Sequence, residues 1–410
     1  MKRLGLLLLA FAAFPAGPAA AQDEECGYRT GPNGSAELSP ECEPELAAMP
    51  SDEDRADLLF RLAYAMNEDR AALGALEQLQ RVVALAPENA NCWHELGYTQ
   101  GDLGMYDQAL ASLDRALAID TQHANALNER GWVRQTLGDF AGANDDYDRL
   151  FTVGPDEPGA RMAYARNLVW LGRLDEAETA LDRLADNANF RGEVDEQRRL
   201  IERIRNYRPE GDPATLCEIT AGTADKERAE VLFDACTRAF LDSDEAEKRA
   251  DFLTVRATAR QVIEQSLEAG YDDLRVAAGI DPGHGRRFVN TGFSLLQRRH
   301  SWAARNEFKR ALELGLPQDQ MTAIALAGRA QANYNLGEFN AAFADAKASF
   351  ETEPTAPALM VLGDLAFDRS DHDSARLYYM GAYHLGSRDD YLTGRLREVG
   401  VDDPDNWREE

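Results

Sequence analysis

The stretch Ala90–His123, ANCWHELGYTQGDLGMYDQALASLDRALAIDTQH, decides the fold of this chain. Apolar residues recur at i, i+3, i+4 spacing on both sides of Gly104, so the stretch predicts two amphipathic helices joined by a turn at that glycine. Small residues, Gly97 and Ala109, lie where the two helices cross. A large side chain there would overpack the crossing at a cost of about 1–3 kcal/mol. One such pair cannot bury its apolar face alone, so neighbouring pairs must stack.

The same pattern recurs in phase every 34 residues. Segments beginning at Ala56, Ala90, Ala124 and Pro158 follow one another without a gap. The eighth position is Ala or Gly in all four segments, the twentieth is Ala in all four, and the fifteenth is Gly in three. Self-similarity at a fixed period of this length is the signature of a repeat array. The sequence therefore predicts four stacked helix pairs over residues 56–191.

These segments resemble tetratricopeptide repeats. The positions of the second segment that match that family's pattern are Trp93, Leu96, Gly97, Gly104, Tyr106, Ala109, Leu113, Ala116, Ile119 and Asp120. The resemblance covers most of residues 56–386 and implies an all-α fold, a right-handed solenoid of helical hairpins. It also implies that the first helix of each pair lines a concave groove, where members of the family bind peptides.

The chain divides into six predicted parts. In order they are a signal peptide at 1–21, a loop-rich segment with cysteines at 22–55, a repeat array at 56–191, a connecting helix at 192–209, a second and looser array at 210–386, and a capping helix with an acidic tail at 387–410. The connecting helix is predicted where a charged stretch breaks the repeat phase. The capping helix is expected because a solenoid must cover the apolar face of its last repeat.

The amino terminus has the pattern of a secretory signal. Lys2 and Arg3 precede an apolar run at 4–14, and three alanines at 19–21 predict cleavage before Gln22. No later segment contains eighteen continuous apolar residues, so we expect no transmembrane segment after signal cleavage. The excess of arginine over lysine, together with this signal, favours the Gram-negative periplasm over another secreted location.

Export would permit disulfides, and the mature chain would keep five cysteines. Cys26 and Cys42 flank a stretch rich in Gly, Pro and Ser, and a small loop closed by this pair is favoured over crossed pairing with the array. Cys217 and Cys236 fall on small-residue positions of the degenerate segment that begins at residue 210. A disulfide there would strap two helices together and contribute roughly 3 kcal/mol; the alternative is two buried free thiols. Cys92 is expected to be a buried, small apolar residue.

Positions 2, 5, 9 and 12 of each first helix share one stripe and would line the groove. The stripe mixes aromatic rings, which give contact area, with amides, which can pair with the backbone of an extended peptide. The predicted groove residues are Phe60, Tyr64, Asn91, His94, Tyr98, Asn125, Asn128, Trp132, Gln135 and Arg166. The alternative is that some rings pack against neighbouring helices. The family's carboxylate-clamp pattern of several basic groove residues is missing, which disfavours recognition of a free C-terminus.

The corresponding stripe of the second array is more apolar. Its residues are Phe252, Val255, Val262, Val289, Phe293, Leu296, Ile324, Tyr334, Met360 and Phe367. Three interpretations remain open at this point. The stripe lines an apolar binding channel, or the array curls tightly so that its own side chains fill the channel, or residues 22–55 cover the channel.

The net charge of −28 excludes sequence-independent binding to nucleic acid or anionic lipid and suits a cationic partner. The sequence contains no HExxH zinc pair, no GxSxG elbow and no Walker motif. The Asp-His-Asp triplet at 371–373 falls where a repeat turn belongs and is expected to face water. The glycine-rich stretch at 283–287 lacks a preceding strand and the spacing of a phosphate loop, so it is interpreted as a linker. We expect no catalytic residue, no metal and no cofactor.

The predicted function is a non-enzymatic interaction scaffold of the bacterial cell envelope that binds a protein or peptide segment in its groove. One alternative is a structural or assembly subunit of a secretion or polysaccharide-export machine. Such a subunit would expose large apolar patches outside the groove. The other alternative is an enzyme or metal-dependent factor built on repeats, which would need a convergent cluster of perturbed carboxylates and histidines.

Overall fold

A computed structural model describes residues 26–30, 35–69, 71–154, 157–208, 211–218, 225–266 and 269–405. Within these ranges the chain forms twenty-one helices and one two-stranded sheet. The predicted signal peptide at 1–21 and the end of the acidic tail at 406–410 lie outside the described residues. None of the helices in the described ranges has the length and apolarity that crossing a bilayer requires.

The first array consists of four helix pairs. Their bounds are α2 (Asp52–Glu68), α3 (Ala72–Leu85), α4 (Ala90–Asp102), α5 (Tyr106–Ile119), α6 (Ala124–Thr136), α7 (Phe140–Val153), α8 (Pro158–Trp170) and α9 (Leu174–Asp182), preceded by α1 (Cys42–Ala48). Gly104, Gly138 and Gly172 form the turns inside three pairs at φ of 73°, 78° and 71°. Only glycine adopts this left-handed backbone without strain, which explains the glycine at position 15 of the repeat.

The amino-terminal segment caps the first repeat. Two short strands, β1 (Tyr28–Thr30) and β2 (Ala36–Leu38), pair antiparallel. Ala36 packs directly on Gly74 of α3, and the Tyr28 hydroxyl donates a hydrogen bond of 2.6 Å to Asp69. The sequence predicted only a loop-rich segment here, because strands of three residues are too short to show an alternating pattern.

The rest of the chain continues as helices. Their bounds are α10 (Arg191–Asn206), α11 (Pro213–Glu218), α12 (Lys226–Asp242), α13 (Ala246–Glu264), α14 (Tyr271–Ile280), α15 (Gly285–Gln297), α16 (Ser301–Leu314), α17 (Asp319–Asn335), α18 (Phe339–Thr352), α19 (Ala356–Asp368), α20 (His372–His384) and α21 (Asp390–Glu398). Consecutive helices from α12 to α20 pack as hairpins, so the two arrays, within the described ranges, form a helical-hairpin solenoid. Leu392 and Leu396 of α21 are fully buried in the core of the last pair.

The cysteines pair as the sequence predicts. The Cα atoms of Cys26 and Cys42 lie 4.3 Å apart and those of Cys217 and Cys236 lie 5.0 Å apart, each pair joined by a disulfide. The second disulfide ties the short α11 to α12 inside the core. Cys92 is free and buried in α4, and burial, the largest cause, raises the pKa of its thiol to about 11. Its thiol therefore stays protonated and unreactive at neutral pH.

The second array folds back against the first, a contact that the sequence analysis did not predict. The turns of three successive first-array pairs meet the second array in reverse order. A Cβ atom at Gly104 would lie 3.4 Å from Ala303 on α16, and one at Gly138 would lie 2.7 Å from Ile280 on α14. One at Gly172 would lie 3.9 Å from Leu241, on α12. The two arrays therefore run antiparallel along a shared edge.

An aromatic cluster seals this edge. The rings of Phe140 and Trp170, from the first array, stack with centroids 5.3 Å apart. Phe240 of α12 meets Trp170 edge-to-face at 5.2 Å, and the Arg256 guanidinium of α13 lies 4.2 Å from the centre of the indole. Aromatic burial of this kind contributes beyond the apolar area alone. The two arrays therefore share one core at this point.

The apolar stripe of the second array is filled. All ten of its side chains pack in or against core clusters, most of them formed within the second array itself. Phe252 and Val255 are exceptions, since they pack in or against a cluster that also contains first-array residues such as Phe140. The described part of residues 22–55 packs against α2 and α3 instead. Of the three interpretations, an array that fills itself is the one the structure supports.

Candidate binding groove and inter-array basin

The first helices of the first array stand side by side. α2 contacts α4, α4 contacts α6, and α6 contacts α8, which brings the stripes of four repeats onto one wall. Of the predicted groove residues, Asn91 and Asn125 are exposed, and the Tyr64 side chain keeps 45% of its surface accessible. Tyr98 and Asn128 are half-buried. A row of amides and rings on this wall is therefore open to water.

Two histidines join α4 to the start of α6. Their rings, His94 and His123, lie 5.2 Å apart. The Nδ1 atom of His123 accepts a hydrogen bond from the backbone of Ala126, so its Nε2 carries the proton and donates to Asn91 over 2.9 Å. Burial, reinforced by His123, lowers the pKa of His94 to about 3. Both rings orient the wall rather than exchange protons near neutral pH. The sequence analysis missed His123 because it precedes the helix as its N-cap.

Three predicted groove residues are partly used for packing. Phe60 packs against the core of the first repeat, as the alternative interpretation proposes. The Trp132 ring meets Tyr106 edge-to-face, with centroids 6.1 Å apart. Gln135 is buried, and its Oε1 atom accepts no hydrogen bond. These three side chains are therefore at least partly buried by packing, whereas the amides of Asn91 and Asn125 are accessible to water.

The fold-back places a second set of polar residues beside the first array. Tyr271, Asp272 and Arg275 begin α14, Arg298 follows α15, and Arg166 projects from α8. We call these five residues the inter-array basin. The Arg275 guanidinium lies 3.5 Å from Asp272, and Arg298 covers the Tyr271 ring at 4.5 Å. Only Arg166 was among the predicted groove residues. The others escaped notice because residues more than one hundred positions apart carry no local signal of contact.

The basin is positively charged at its centre. The pKa of the Asp272 carboxyl lies below its usual range because surrounding arginines outweigh burial, the largest single influence, which acts in the opposite direction. In order of their effect these arginines are Arg275, Arg166, Arg260 and Arg298. The Asp272 side chain still exposes 62% of its surface. Protein therefore surrounds this carboxylate on several sides without closing it off from water.

Glu307 of α16 is a buried carboxyl near the same interface, beside Tyr106 and Tyr271. Burial raises its pKa to about 7, and Arg310 only partly offsets this. Below the ordinary pKa of 4.5 the group is protonated in the folded and the unfolded chain alike. Between these values only the folded chain keeps the proton. The stability of the fold therefore falls as pH rises from about 5 to about 7.5 and is then constant in this respect.

We expect Glu307→Gln to raise the free energy of unfolding by about 3 kcal/mol at pH 8 and to leave it nearly unchanged at pH 4.5. The exposed Glu313→Gln on the same helix is the matched control and should show no such dependence. Urea midpoints of both variants and the wild type at the two pH values measure the difference. Parallel pH profiles for all three proteins would contradict the assignment.

The Asp-His-Asp triplet at 371–373 and the glycine-rich stretch at 283–287 have structural roles. Asp371 caps α20 by accepting a hydrogen bond from the backbone of Ser374, and Asp373 pairs with Arg376. In the glycine-rich stretch, Arg287 is buried and donates to Asp281 at 3.0 Å. Across the ranges that the structure covers, no group of three or more His, Cys, Asp or Glu side chains is arranged to hold a metal ion.

Stacked helical hairpins with an accessible inner wall define a repeat scaffold. Family models described as "Tetratricopeptide repeat" match residues 90–123 and 136–213. These two matches support the assignment of the chain to the tetratricopeptide-repeat superfamily. These repeats support a protein–protein interaction scaffold, the usual and generally non-enzymatic role of the family. The search of curated proteins finds no match.

The chain also matches solved structures at low identity. A tetratricopeptide repeat protein from Parabacteroides merdae is 16% identical, with 84% of this chain and 98% of that chain covered and a TM-score of 0.30. Yeast Tom70 is 15% identical over 85% and 96% of the two chains, with a TM-score of 0.29. YrrB, a protein with an unusual peptide-binding site, is 15% identical over 60% and 95%, with a TM-score of 0.26.

Proposed function

We infer that the protein is a non-enzymatic scaffold of the bacterial cell envelope that holds an extended segment of a partner protein along α4 and α6. The observation that carries this proposal is the pair of accessible amides at equivalent positions of successive first helices, Asn91 and Asn125, on the same two helices as the half-buried rings of Tyr98 and Trp132. Amides pair with the backbone of an extended chain, and aromatic rings supply contact area at low entropic cost.

The location belongs to the same proposal. Two disulfides fit an oxidising compartment outside the cytoplasm, which agrees with the predicted signal peptide. Both support the proposal of a secreted or periplasmic location, with the Gram-negative periplasm favoured. The net charge of −28 favours a partner that is basic overall. Capture of such a partner should weaken steeply as salt is added.

The triple variant Tyr98→Ala, Asn128→Ala, Trp132→Ala should lose at least about 90% of the partner captured from envelope extract, because ring contacts and amide pairing disappear together. Mass spectrometry of the captured proteins measures the loss, and circular dichroism checks that the helices remain. The double variant Asn125→Ala, Asn128→Ala removes amides alone and should lose part of the binding. Phe343→Ala, exposed on α18, is the control. Unaltered capture by the triple variant would refute the groove.

One observation favours the alternative of an assembly subunit. Phe339, Phe343 and Phe350 share a face of α18 and are each 41–46% exposed. Exposed aromatic stripes of this kind mark contact surfaces. If Phe343→Ala abolished capture and the triple groove variant did not, the assembly role would replace the groove.

A further inference from the structure

The inter-array basin contains more positive charge than its one carboxylate can neutralise. Arg275 shares Asp272 at 3.5 Å. Neither Arg166 nor Arg298 has an ion-pair partner in the part of the chain that the structure covers, and the Arg298 guanidinium lies over the ring of Tyr271. All three arginines act electrostatically on the Asp272 carboxylate. In a chain of net charge −28 this surplus is a local exception that calls for an explanation.

Arg260, the remaining neighbour of Asp272, is already neutralised. It donates to Glu264 at 2.6 Å and to Glu196 at 3.2 Å. It therefore serves as an internal comparison: the same residue type near the same carboxylate has acquired two acidic partners. The fold thus supplies acidic partners to Arg260. For Arg166, Arg275 and Arg298 it supplies one ion-pair partner, Asp272, within the described residues.

Two buried donors of the basin also lack acceptors. The Nε atoms of Arg166 and Arg275 are buried from water and make no hydrogen bond in the structure. A buried donor without an acceptor costs about 1–3 kcal/mol. A planar guanidinium offers Nε and Nη in a fork that matches the two oxygens of a carboxylate. An incoming carboxylate would satisfy both the charge and the unpaired donors.

The basin is reachable, and it adjoins the proposed groove. Asp272 keeps most of its side chain in contact with water. Arg166 occupies on α8 the same repeat position as Tyr98 on α4 and Trp132 on α6. A segment that follows these first helices from α4 towards α8 therefore arrives at the basin.

We propose that the inter-array basin, through Arg166, Arg275 and Arg298, binds the side-chain carboxylate of an aspartate or glutamate in the partner segment. This inference rests on the proposed function and adds the chemistry of one partner residue. A basic partner remains compatible with it, because attraction to the acidic outer surface acts over a Debye length of about 8 Å, whereas the arginines act in contact. A partner that is basic overall and carries one acidic side chain satisfies both.

Two libraries of basic peptides test the proposal on the full-length mature protein. Both have random flanks and a C-terminal amide; one has glutamate at its centre and the other has glutamine. Immobilised wild-type protein should retain about tenfold more of the glutamate library, since charge-assisted hydrogen bonds are about twice as strong as neutral ones. The double variant Arg166→Gln, Arg298→Gln should retain both libraries equally. Arg238→Gln, on the exposed part of α12, should keep the preference.

Each other outcome overturns the proposal. Equal retention of both libraries by the wild type, including no retention, excludes a side-chain carboxylate site. Strong retention of the glutamine library after its C-terminus is left as a free carboxylate would assign the basin to chain ends instead. A preference that survives in the double variant, with its thermal midpoint unchanged, would place the site elsewhere. If envelope capture remains groove-dependent while the libraries behave alike, this inference fails and the proposed function stands.

Discussion

Gly279→Ala should separate the two arrays. The helix α14 approaches the turn of the third repeat so closely that a Cβ atom at Gly279 would lie 2.4 Å from the carbonyl carbon and oxygen of Leu137. Real Cβ contacts are never this short, and a backbone carbonyl cannot move aside as a side chain would. The single methyl group must therefore push α14 off the first array or distort the turn.

The expected size of the effect is large for one methyl group. Overpacking costs about 1–3 kcal/mol and more where backbone must move, so we expect a loss of about 3 kcal/mol or more in the free energy of unfolding. The aromatic cluster of Phe140, Trp170 and Phe240 spans the same edge and should open with it. Small-angle scattering should show a larger radius of gyration, and urea unfolding should show two separated transitions.

Gly394→Ala is the matched control. Gly394 also lies inside a helix, α21, but a Cβ atom there would meet nothing within 4 Å. Alanine at an open helical position stabilises by up to about 1 kcal/mol relative to glycine. Replacing glycine by alanine is thus expected to lower the free energy of unfolding at Gly279 and to raise it at Gly394. If Gly279→Ala kept the radius of gyration and the urea midpoint of the wild type, the close docking of the arrays would be wrong.

The second large effect is expected at Arg256. This arginine is 5% exposed and binds Asp273 through two hydrogen bonds, from Nε at 2.9 Å and from Nη2 at 2.6 Å. Its guanidinium also lies over the Trp170 ring of the first array. Arg256→Ala leaves Asp273 as an uncompensated buried charge. We therefore expect the free energy of unfolding to fall by about 3–5 kcal/mol, as it does when one partner of a buried ion pair is removed.

The control for Arg256 separates charge from packing. Arg238→Ala breaks an exposed ion pair with Asp242, in which both side chains are about half exposed, and should cost less than about 1 kcal/mol. The double variant Arg256→Met, Asp273→Leu removes both charges and should recover much of the stability. Urea unfolding measures all three. A loss below about 1 kcal/mol for Arg256→Ala would contradict a buried ion pair.

The parts of the fold that were predicted correctly are those that depend on residues close together in the sequence. The helix pairs follow from apolar spacing and from glycines such as Gly104, since each helix and turn involves only its near neighbours. The disulfide between Cys217 and Cys236 followed because both cysteines fall on repeat positions where two helices cross. The amides of Asn91 and Asn125 lie on the same wall for a related reason. They occupy the same position in successive repeats, and equivalent positions point in the same direction.

The errors and omissions concern contacts between distant parts of the chain. The pairing of α14 with the third repeat joins Gly279 to Leu137, and neither residue carries a pattern that points to the other. The same holds for Arg166 and Arg275, which both come near Asp272 only because the second array turns back. The hairpin of β1 and β2 escaped prediction because its strands are too short for any periodicity to appear.

By itself the sequence determined that this protein is a stack of helical hairpins with a wall of amides and rings, because a 34-residue period specifies every local packing step. Only the tertiary structure decided that the two arrays dock edge to edge and bring the arginines of the inter-array basin together. Docking depends on where three-dimensional surfaces meet after the hairpins have stacked, and small shifts per repeat add up along a solenoid to a path that no local pattern encodes.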